Sequence, residues 1–152
     1  MSRSAIRETL GFVGVIASLI FVGMEIRQNT LASQAAAIQE ATTMARQWGL
    51  MFVTDPEVNR IDLIGRADRS QLNVEDQARY TWIVTTFMWG MQGMYRQWEL
   101  GVLPDQEWQA WNRVICQNVA GRDLDAAWLE TRTTLTPDFV EIIESCESFQ
   151  GA

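Results

Sequence analysis

Leu10-Gly-Phe-Val-Gly-Val-Ile-Ala-Ser-Leu-Ile-Phe-Val-Gly-Met24 is the stretch whose reading decides how this chain is built. Between Glu8 and Glu25 lie sixteen uncharged residues. As a helix they reach about 24 Å, short of the ~30 Å hydrocarbon layer. Ala5, Ile6 and Ile26 lengthen the run, and Arg7 and Arg27 can snorkel, so a slightly thinned bilayer accepts it at the cost of Glu8 and Glu25. Three other readings compete. A cleaved signal peptide suits Arg3 and Arg7, but no small-x-small site follows promptly, and the alanines at 35–37 come too late. A run this short also suits the buried central helix of a soluble bundle. An in-plane amphipathic helix fits worst, because the apolar character runs all the way round. The sequence is read as a helix belonging in a membrane or an equally dry interface.

Working outward, Glu25-Ile-Arg-Gln-Asn-Thr30 opens an Ala- and Gln-rich stretch with no proline before Pro56. Leu31, Ile38, Ala45 and Phe52 recur every seven residues, which predicts one helix from about Ser4 to about Val53, near 75 Å long at 1.5 Å per residue. Residues 1–30 then form a membrane anchor helix, and residues 31–150 a helical bundle head continuous with it. Thr54-Asp-Pro-Glu57 starts a short helix running to about Ile64, with Gly65 to Leu72 as a loop. Asn73-Val-Glu-Asp76 caps a helix to about Leu100, along which Tyr80, Val84, Phe87, Met91, Met94 and Trp98 make a coiled-coil-like seam. Gly101 ends it. Pro104 begins another helix to about Val119, with Trp108, Trp111 and Ile115 on one face. Gly121 marks a break before Leu124, Trp128 and Thr131, and Thr136-Pro-Asp138 starts the last helix. No stretch alternates with β-branched and aromatic enrichment, so the predicted class is all-α: a long N-terminal helix plus a small helical bundle.

Composition narrows the chemistry. The chain has no histidine, and all twelve basic residues are arginine, which removes the usual general base, metal ligand and Schiff-base lysine. A net charge of −7 with scattered arginines argues against a nucleic-acid partner. Glu75/Asp76, Asp105/Glu107 and Asp123/Asp125 sit in the first turns of predicted helices, where the helix dipole accounts for them without chemistry. No ExxH, GxSxG or phosphate-cradling loop is present, so no enzyme, cofactor or metal is expected. Cys146 falls in line with Phe139, Ile142, Ile143 and Phe149 at helical spacing, which favours a buried free thiol over a ligand or nucleophile. A Cys116–Cys146 disulfide is left open, and depends on the compartment.

Three surfaces are candidates for function. Gly14 and Ser18, with Gly11 a turn earlier, form a small-xxx-small face for helix association, although glycine is common in such segments. Glu25, Arg27, Gln28 and Asn29 make a polar cluster at the membrane exit, whose plainer role is to anchor the helix at the interface. Trp82, Trp89, Met91 and Met94 could line an apolar pocket, although helical spacing makes such residues core more often than not. Gly90 and Gly93 weaken a helix interior, so something is expected to pack closely there.

The stretch from Leu10 through Glu25-Ile-Arg-Gln-Asn-Thr30 to Ala32 resembles the N-terminal signature of a widespread bacterial family of small hypothetical proteins. Phe52 to Glu57, Arg79-Tyr80, Tyr95 and Gly101-Val-Leu103 with Trp108 are similar to its later landmarks. The resemblance implies a bacterial, membrane-anchored helical protein and no particular activity. Arg3, Arg7 and the chain amine against Arg27 put the N-terminus in the cytoplasm and the head in the periplasm, with one pass through the inner membrane. The function expected from the sequence is association: a homo-oligomer or an accessory subunit of a larger membrane complex, its partners membrane lipid and protein. The alternative is a carrier or sensor of an apolar small molecule such as a lipid, quinone or carotenoid.

Overall fold

The computed structural model describes residues 3–119 and 125–146. Among the described residues six α-helices follow one another: α1 (Arg3–Thr54), α2 (Pro56–Ala67), α3 (Val74–Glu99), α4 (Asp105–Val119), α5 (Asp125–Thr131) and α6 (Pro137–Glu144). No strand occurs among the described residues, and the fold is the expected long N-terminal helix followed by a small bundle. The break expected at Gly121, together with Asp123, Leu124 and Phe149, lies outside the described residues.

α1 exceeds the expected bounds by one residue at each end. Its hydroxyls do not compete with the backbone: those of Ser18, Thr30, Thr42 and Thr54 each donate to the carbonyl four residues earlier at 2.8–2.9 Å. The chain divides into two compact units, Met1–Ala36 and Ala37–Ala152. Burial along α1 begins in earnest only at Ala37 and Ala41, which belong to the core of the second unit.

α3 is the axis of that second unit, touching α2, α4 and α5. The seam expected on it is real but is consumed within the chain: Tyr80, Val84, Phe87, Met91 and Met94 are buried, and Trp98 packs on the same core. Its N-terminus is fixed by Asn73, whose Oδ1 accepts from the backbone N–H of Asp76 at 2.9 Å. At its C-terminus Gly101 takes φ +70, and the N–H groups of Val102 and Leu103 both reach the carbonyl of Gln97 at 2.9 Å. A left-handed residue is what this helix stop needs, and glycine takes it without strain.

α2 runs three residues past the expected Ile64, and the segment read as a loop from Gly65 is helical to Ala67 before a short 3₁₀ turn at Arg69–Gln71. Packing is the reason. A Cβ on Gly65 would lie 2.5 Å from the ring of the fully buried Tyr80, so this glycine admits an aromatic ring and does not break the helix. Gly65→Ala is expected to destabilise the head by about 1–2 kcal/mol, overpacking outweighing the gain in helix propensity. The check is a lowered urea midpoint at unchanged slope.

The last helices are held from α3. At the start of α6 the backbone N–H of Thr136 donates to Gln92 Oε1 at 2.7 Å, and its hydroxyl lies 3.2 Å from the same oxygen. Deeper in, the Thr85 and Thr131 hydroxyls are buried and bonded to each other at 2.8 Å. Cys116 and Cys146 form a disulfide, which corrects the expectation of a free thiol. Periodicity had placed Cys146 on the buried face of its own helix. The tertiary approach of the α6 end to α4 brings the two Cα atoms to 5.4 Å, within bridging range.

Candidate functional site

The most unusual surface is the outside of α1. Every residue from 11 to 33 is exposed, and these include Phe12 at 69% and Leu19 at 66%. Apolar residues cover all sides of the helix there, so no single face could hide them against a neighbour. Gly11, Gly14 and Ser18 lie within this surface, and a Cβ added at either glycine would meet nothing within 4 Å. The Ser18 hydroxyl is already satisfied by the carbonyl of Gly14 at 2.9 Å, which leaves this side of the helix free of unmet polar groups. One helix is therefore long and apolar enough to cross a membrane, with none of its 18-residue apolar window buried.

Glu25, Arg27, Gln28 and Asn29 are all exposed. Glu25 and Asn29, one turn apart, border a shallow depression with Ile26. Arg27 makes no ion pair with Glu25 among the described residues, since residues two apart point away from one another. The cluster forms a polar collar and not a closed site.

The four residues read as an apolar pocket do not line one cavity. Met91 and Met94 are core, whereas Trp82 and Trp89 are 60% and 43% exposed and meet edge to face at 6.0 Å. Both indoles border a groove of about 240 Å³ with Thr81, Thr85, Glu130 and Thr134, where Trp89 Nε1 donates to Thr134 Oγ1 at 2.9 Å. Met94 contributes with Trp89 to a second groove, against α1. Helical spacing could not distinguish the two sides of α3, because 82 and 89 are a heptad apart on one stripe while 91 and 94 belong to the next.

Two of the first-turn carboxylates, Asp76 and Asp105, tie helices together. Asp76 is buried and accepts from Arg60 Nη2 at 2.5 Å and from Asn73 Nδ2 at 3.0 Å, tying α2 to α3. Asp105 accepts from Trp98 Nε1 at 2.8 Å, which closes α4 on the end of α3. Among the described residues no cluster of three His, Cys, Asp or Glu side chains could hold a metal ion. No pattern in the sequence signals the network in which Tyr95 donates to Glu99 at 2.9 Å while Arg96 bonds both Glu99 and Asp138. Its partners lie up to 42 residues apart.

These networks set the acid response. A hydrogen bond from Thr136, helped by Arg96, holds Asp138 below the usual carboxylate range. Glu57 is lowered by its bond from Arg60, and Asp68 by bonds from Ser70 and Gln71. A carboxyl whose folded pKa is depressed adds stability above its unfolded value and loses it as pH falls through the folded one. Thermal midpoints are therefore expected to hold from neutrality to about pH 5 and to fall progressively below about pH 4. At the other end, burial first and Glu99 second push Tyr95 up to about 12. Its contribution is complete below about pH 10 and is lost as pH rises from there through the folded value. A midpoint that stayed flat from pH 5 to pH 2.5 would contradict this account.

Comparison of the chain with protein-family models, with curated proteins and with solved structures finds no match.

Proposed function

We propose that this chain is a single-pass, membrane-anchored helical protein of the bacterial inner membrane that works by association, as a homo-oligomer or as an accessory subunit of a larger membrane complex. The observation that carries the reading is the exposure of apolar side chains around the whole circumference of α1 from residue 11 to 24. Burying a large aliphatic or aromatic side chain is worth about 1.5–3 kcal/mol, so leaving this run in water forgoes more than any ordinary head recovers. The internal bonding of the Ser18 and Thr30 hydroxyls is what a helix in hydrocarbon requires.

The Cys116–Cys146 bond supports a head in an oxidising compartment, the same side that the arginine bias selects. The likeness of Leu10 to Ala32 to a bacterial membrane-anchored family is part of this proposal. Because the seam from Tyr80 to Trp98 is buried within the chain, association rests on α1 and the head surface. A lipid, quinone or carotenoid carrier finds less support: the grooves beside α3 measure about 240–320 Å³, too little for such long chains.

Cell fractionation tests the reading directly. The full chain is expected to stay in membranes washed with carbonate, and replacing both Ile16 and Leu19 by Arg should release it, since each arginine at mid-helix costs about 2.5–3.5 kcal/mol of insertion. Recovery of the unaltered chain as a soluble monomer without detergent would sink the proposal.

A further inference from the structure

We draw no further inference here: the strongest candidate, the exposed stripe of Trp82, Thr86, Trp89 and Gly93 along the outer face of α3, is an unpartnered helix face, and nothing in the structure shows what covers it.

Discussion

Replacing Cys116 and Cys146 together by serine is expected to destabilise the head by about 3.5 kcal/mol, a fall of roughly 15 °C in its thermal midpoint. The bond closes a loop with a sequence separation of 30 and joins α4 to the end of α6. Crosslinking at that separation removes chain entropy chiefly from the unfolded state, and the loop-closure relation gives the figure. The loop encloses α5, α6 and all of the chain between α4 and α6, so the loss should fall first on α5 and α6, as early hydrogen exchange there while α2 and α3 stay protected. Reduction of the native protein should reproduce the effect. If the double variant melts within about 2 °C of the parent, the bond contributes little and the compartment argument built on it weakens.

Tyr95→Ala is expected to cost about 4 kcal/mol, the largest single loss in the head. The ring is buried and sits where three helices meet: its centroid lies 5.8 Å from Trp98 on its own helix, 5.4 Å from Trp108 on α4 and 5.6 Å from Phe139 on α6. Trp98 and Trp108 are themselves stacked at 5.5 Å, so removing Tyr95 opens a cavity between rigid rings that cannot close in on it. Tyr95→Phe keeps the ring and loses only the bond to Glu99, for about 1 kcal/mol. The pair of variants separates packing from hydrogen bonding by urea unfolding. Comparable losses for the two would put the energy in the hydroxyl network and contradict the packing account.

Much of this protein was legible before any tertiary contact was known. Helix starts are local events: Asp55-Pro56, Asn73 and Thr136-Pro137 stand where the structure begins α2, α3 and α6, because a capping oxygen or a fixed φ acts within one turn. The length of α1 and its apolar character followed from the absence of proline and the run from Leu10 to Met24, both properties of neighbouring residues. The seven small and polar residues proposed on α1, Gly11, Gly14, Ser18, Glu25, Arg27, Gln28 and Asn29, are exposed as a lone helix would leave them. Where the reading fell short, the deciding partner was distant in the chain. Gly65 looked like a loop residue until Tyr80 lay over it, and Gly90 and Gly93, alike in sequence, differ only because Met44 reaches one and not the other.

The sequence by itself determined the class, the helix starts and the apolar segment, since each depends on the backbone preferences and hydrophobic pattern of residues within a few turns. Only the tertiary structure decided that the seam of α3 faces inward, that Trp82 and Trp89 part from Met91 and Met94, and that Cys116 meets Cys146. Those outcomes depend on which helix face meets which neighbour. Helical periodicity specifies a face but not its partner, and the partner is chosen by the summed packing of the whole core.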